Sequence, residues 1–103
     1  MALVKKIYSL TSDLPSEERF GLISQLNRCS VSIPSNIAEG SGRTSEKEFI
    51  HFLRMAISSS YELETQLILV KDIYSIDTKE VIENLSTLQL MIGAFIRKMN
   101  EIA

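Results

Sequence analysis

The segment from Phe49 to Tyr74, FIHFLRMAISSSYELETQLILVKDIY, decides the fold. Its apolar and small residues fall at Phe49, Leu53, Ala56, Ser60, Leu63, Leu67, Val70 and Tyr74, in alternating steps of four and three. That is the period of an α-helix packed lengthwise against other helices, whereas a half-buried strand would alternate at every second residue. The stripe predicts a helix of about 28 residues, roughly 42 Å long. Its middle is narrow, because Ala56 and Ser58 to Ser60 let a neighbouring helix approach closely. Just upstream, Ser45-Glu-Lys-Glu48 fits a capping box, in which the hydroxyl and the carboxylate each satisfy an orphan backbone donor at the helix start.

The same period extends in both directions. Downstream, Asp77-Thr-Lys-Glu80 repeats the capping logic, and a fourth helix runs through Val81, Leu85, Leu88, Ile92, Phe95, Met99 and Ile102. Leu63 and Leu88, each mid-stripe, are expected core positions. Upstream, Ile23, Leu26, Ser30, Ile33 and Ile37 predict a second helix over residues 15–39 that ends at Gly40-Ser-Gly42. Pro34 lies inside it and predicts a bend, with Ser30, Ser32 or Ser35 satisfying the carbonyl it frees. A first helix over residues 2–13 carries Leu3, Ile7 and Leu10 and gives way at Leu14-Pro15. The reading is all-α: one domain over residues 1–103, an antiparallel up-down-up-down four-helix bundle with a short first helix and a proline bend in helix two.

Composition narrows the function. The chain has 103 residues, 45% hydrophobic and 23% charged, with four Gly and two Pro, which suits a packed core and argues against disorder. Its net charge of −2 supplies no global field toward nucleic acid or acidic membranes. Residues 1–61 carry +1 and residues 62–103 carry −3, so any anion binding must be local. One cysteine, Cys29, forms no internal disulfide, and with no signal peptide or membrane-length apolar run the expected location is the cytoplasm.

The short first helix leaves half of a bundle groove uncovered. That end is formed by Ile33, Ile37, Phe49, Phe52, Met99 and Ile102, an apolar patch of the kind that marks an interface. Three explanations compete: truncation upstream, cover by a partner subunit, or fraying of the helix ends. Association of copies is the expectation.

Catalytic constellations are weak. Glu48 and His51 share the Glu-x-x-His spacing of di-iron bundles, but such sites need a second pair and the chain has a single His. No metal, cofactor, small-molecule substrate or catalytic residue is expected, and the lone His excludes a triad not built on His51. The turn Gly40-Ser-Gly-Arg43 lacks the strand and glycine spacing of a phosphate loop. Arg43, Lys47 and Arg54 near the start of helix three, with Arg97 and Lys98 near the end of helix four, form a candidate phosphate-binding patch, diluted by Glu39, Glu46, Glu48 and Glu101. Asn36, beside the apolar stripe of helix two, is a candidate half-buried amide that fixes helix register, and Arg28 is a further candidate cation.

At Ile33-Pro-Ser-Asn-Ile-Ala-Glu-Gly40, Gly42-Arg43 and Tyr61-Glu-Leu-Glu-Thr-Gln-Leu67, the sequence resembles a known family. These are the bacterial four-helix-bundle proteins encoded in intervening sequences of large-subunit ribosomal RNA genes, relatives of the accessory variability proteins of diversity-generating retroelements. Arg28, Asn36, Glu39, Gly40, Arg43, Glu62 and Glu64 match its motif. The resemblance implies an antiparallel bundle, a pentameric ring and no enzyme activity. For the retroelement branch it implies binding of reverse transcriptase and of RNA or DNA through a basic surface. Two departures stand out: an aromatic-rich start of helix one is missing before Met1, which suggests an internal start, and Ile57-Ser-Ser59 replaces the family's Arg-Gly-Ser. The expected function is a non-enzymatic helical assembly protein forming a homo-oligomer, with a nucleic-acid or ribonucleoprotein adaptor acting through a local basic patch as the alternative.

Overall fold

A computed structural model describes the backbone of residues 1–102 and the side chains of residues 1–101. Four helices follow in order: α1 (Ala2–Thr11), α2 (Leu22–Ser41), α3 (Glu46–Tyr74) and α4 (Lys79–Ile102), with no strand among the described residues. Contacts run α1 with α2, α2 with α3, α3 with α4, and α4 back to α1, so the helices close into a bundle. Ile7, Leu26, Ile33, Leu63, Leu67, Val70 and Leu85 are fully buried, drawing on all four helices for one core.

Three boundaries differ from the periodicity, one of them the end of α2, which runs through Gly40 to Ser41 rather than stopping at residue 39. The first helix stops at Thr11 rather than at residue 13, because the Asp13 and Leu14 N–H groups reach back only three residues, to Leu10 and Thr11, and tighten the chain before Pro15. The second helix begins at Leu22, not at residue 15. Pro15 is extended (φ −60°, ψ 147°), Ser16–Glu18 form a single 3-10 turn, and Gly21 breaks the helical backbone at φ −106°, ψ −111°. Glu18 then takes two donors, the Leu22 N–H at 3.4 Å and the Tyr74 hydroxyl, tying the start of α2 to the end of α3. That hydrogen bond, ahead of desolvation, pushes the Tyr74 phenol above its ordinary range.

The caps appear close to where the sequence puts them. Ser45 accepts from the Glu48 N–H at 3.0 Å and starts α3. Asp77 accepts from the Lys79 N–H at 3.0 Å. Between these helices Ser75 adopts the left-handed conformation (φ 57°) that ends α3 and donates its N–H to the Lys71 carbonyl. Lys6 Nζ meets Glu80 at 2.9 Å across α1 and α4.

The most extensive contact is between α2 and α3, and both helices bury small residues. Ser30, Gly40, Ala56 and Ser60 are buried there. Each buried hydroxyl answers to its own helix, Ser30 to the Asn27 carbonyl at 2.9 Å and Ser60 to the Ile57 carbonyl at 2.6 Å, so the two sit dry without an orphan proton. Ser32 Oγ pairs instead with Ser59 Oγ at 2.8 Å, so neither Ser30 nor Ser32 turns to the carbonyl freed by Pro34.

Candidate functional site

Two surfaces hold several of the residues singled out in the sequence. The first is apolar. Ile37 of α2, Phe49 and Leu53 of α3, and Leu88, Met91, Ile92 and Phe95 of α4 line a groove of about 230 Å³. Met91 and Phe95 are exposed, and the Phe49 and Phe95 rings meet edge to face at 5.6 Å. The groove holds two of the six residues expected at the uncovered end, Ile37 and Phe49. Ile33, expected at that end, is fully buried in the chain's own core. Phe52 faces the other side of α3, half-buried under Arg43. Met99 packs partly buried against the core, and the Ile102 side chain lies outside the described residues. Leu88 is likewise a groove residue and only partly buried; the fully buried leucine of α4 is Leu85.

The second surface carries charged and polar side chains over largely apolar walls and runs along α2 and α3. Arg43, Lys47, Glu48, His51 and Phe52 line one hollow of about 430 Å³. An adjoining hollow of about 350 Å³ also has His51 in its wall, with Ser32, Asn36, Arg54, Ser58 and Glu62 among its lining. Arg43 is braced by Glu39 four residues back and lies 5.0 Å over the Phe52 ring. Asn36, expected as a half-buried amide, is half-buried and donates to the Ser32 carbonyl at 2.9 Å and to Ser32 Oγ at 3.0 Å. Gly40 is buried because the chain must pass two aromatics; a Cβ there would lie 2.7 Å from Phe52 Cβ and 2.8 Å from Phe49 Cδ1.

The six candidate cations divide between surfaces. Arg43, Lys47 and Arg54 flank the two α2–α3 hollows. Arg97 lines a different hollow between α3 and α4, with Ile57, Tyr61 and Leu90. Arg28 and Lys98 are exposed. His51, weighed in the sequence as a metal ligand and as the one histidine a triad could use, lines both hollows, which no spacing rule for metals would show. Glu64 accepts from Gln89 at 2.9 Å across α3 and α4. Glu62 receives the Cys29 thiol at 3.6 Å, and Gln66 Nε2 lies 3.5 Å from the same sulfur. Desolvation, then the Glu62 charge and hydrogen bond, push the Cys29 thiol up against the opposing pull of Gln66 and Arg28. Among the described residues no group of three or more His, Cys, Asp or Glu is placed to hold a metal ion, and no helix is long and apolar enough to cross a membrane.

No curated protein matches the chain. A family model described as 23S rRNA-intervening sequence protein matches residues 1–96, which takes in all of α1 to α3 and most of α4. With four helices packed as a bundle and nearly its whole length matched, the chain belongs to the 23S rRNA-intervening sequence protein family.

Proposed function

We propose that this protein is a non-enzymatic assembly module that works as a homo-oligomer in the cytoplasm, built on an antiparallel up-down-up-down bundle. The helix directions are supported by cross-helix partners whose numbers fall on one helix as they rise on the other: Gln25 with Gln66, Ser32 with Ser59, Gly40 with Phe52. In that arrangement α1, with 10 residues beside the 29 of α3, leaves one end of the bundle open, and Pro34 bends α2 toward it.

The observation that carries assembly is the groove of Ile37, Phe49, Leu53, Leu88, Met91, Ile92 and Phe95. Apolar surface of that kind is stabilised by removal from water at about 25 cal/mol per Å², so covering it with a second copy favours association. A pentameric ring is the number of subunits we propose. Light scattering coupled to gel filtration at tens of micromolar should give a multiple of the 11.6 kDa chain mass. Met91→Glu with Phe95→Glu should return the monomer, and a wild-type chain that is only monomeric overturns the reading.

A second reading, an adaptor for RNA, DNA or a reverse transcriptase, is favoured by one observation. Lys47 and Arg54 flank the two hollows without an acidic side chain in salt-bridge range among the described residues. Cations left unpaired beside shallow hollows suit phosphate contacts. Titrating a labelled RNA at low and high salt tests it, since phosphate binding weakens steeply with salt.

A further inference from the structure

Lys47, His51, Arg54 and Ser58 occupy successive steps of four, three and four on α3. Residues so spaced share one helix face and form a row about 16 Å long. The two hollows that share His51 lie along this row, and Arg43, stacked on Phe52, extends it past the start of α3. Acidic groups border the row: Glu39 pairs with Arg43, Glu46 and Glu48 stand on either side of Lys47, and Glu62, which accepts from the Cys29 thiol, lines the second hollow; among the described residues none of them is in salt-bridge range of Lys47 or Arg54. From α2 the row faces Ser32 and Asn36, which carry hydrogen-bonding groups and no charge.

We propose that this row is a track for single-stranded nucleic acid. Lys47 and Arg54 contact successive phosphates, Ser58 donates to a phosphate oxygen, and the exposed His51 ring gives a base a face to stack on. The hollows are open and shallow, which suits a strand laid along a surface rather than an enclosed small molecule. A linear set of cations interrupted by a ring is the arrangement that grips a flexible backbone without reading its sequence. The proposal rests on the adaptor reading above and adds to it the residues, the strandedness and the exclusion of Arg97 and Lys98.

The test is fluorescence anisotropy with a labelled oligouridylate of about 12 nucleotides, titrated from about 20 mM salt upward, using the full chain. Lys47→Ala with Arg54→Ala should weaken binding about tenfold and flatten the log–log salt slope by about 1.4, the value for two phosphates of a single strand. His51→Ala should weaken it about fivefold through lost stacking. Arg97→Ala with Lys98→Ala should leave both affinity and slope as they are. Because all of these side chains are exposed, the variants keep the fold, and circular dichroism melting checks it. Equal losses from the two double variants, or a duplex bound as tightly as the single strand, overturn the track while the adaptor reading stands. No binding by the wild type at the lowest salt overturns both.

Discussion

The two long seams of this bundle use the same helical period and come out differently. Between α2 and α3 the buried positions mix the small Ser30, Gly40, Ala56 and Ser60 with larger residues such as Leu26 and Leu53, and at Gly40 the two helices approach until an added methyl would not fit. On α4 the same period is filled by large aliphatics. Val81, Leu85, Ile92 and Ile96 are buried, but the residues flanking them are left in water, with Leu90 74% and Met91 64% exposed. Close packing therefore follows side-chain size at the seam, and spare apolar surface follows from large residues on a helix with few neighbours. One seam closes around its small residues; the other leaves apolar surface in water.

The largest expected effect breaks that contrast by emptying the core. Leu63, fully buried on α3, should cost about 2 to 5 kcal/mol when changed to Ala, whereas Leu88→Ala, at the partly exposed groove, should cost much less. For a chain of this size each kcal/mol moves the melting temperature by about 4 °C or more, so thermal denaturation of the monomer resolves the pair. Equal shifts would mean that the groove is as closed as the core.

Next in size is overfilling the tight seam. Gly40→Ala places a methyl 2.7 Å from Phe52 Cβ, an atom fixed to the α3 backbone, so α2 and α3 must separate locally. The expected loss is about 1 to 3 kcal/mol, partly offset by the better helix propensity of Ala. Urea denaturation checks it, and an unchanged midpoint would show that the seam yields more easily than its geometry says. Smaller, and of opposite sign, is Thr78→Val. The Thr78 hydroxyl at the start of α4 is buried without a hydrogen-bond partner, and replacing it by a methyl of similar shape should stabilise by about 1 kcal/mol. A lower melting temperature would show that the hydroxyl has a partner in solution.

Much of this fold could be read before any coordinates. The 29 residues of α3, the cap at Ser45 and the small middle of the stripe follow from spacing and residue size alone. The stretch from Pro15 to Gly21 was harder, because the apolar pattern does not show that Glu18 leaves the helix to meet Leu22 and Tyr74. Ile33 failed for a related reason. A helical stripe identifies the inward face but not how far along the bundle the neighbours cover it, and Ile33 is completely covered. On the candidate surfaces, the cations were visible as residues, yet their division between two hollows on one side and Arg97 on another depends on helix rotation, which a sequence does not state.

The smallest effect probes the tight seam without disturbing it. Cys29 lies half-buried between α2 and α3, beside Glu62 and Gln66. Desolvation, and then the Glu62 carboxylate, disfavour its thiolate, so its pKa stands above the ordinary thiol range. Since the thiolate is the nucleophile, the native protein should react with a disulfide reagent near pH 8 more slowly than the urea-unfolded chain, and its rate should keep rising at a pH where the unfolded rate has levelled off. Glu62→Gln should recover part of the difference by removing the negative charge while leaving the burial. The sign for stability follows from the same shift: below the ordinary thiol pKa nothing changes, and as pH climbs past it the unfolded chain ionises first and stability falls. Native and unfolded rates that coincide would mean that the seam opens at Cys29 often enough to admit reagent, and that its close packing is local to Gly40, Ala56 and Ser60.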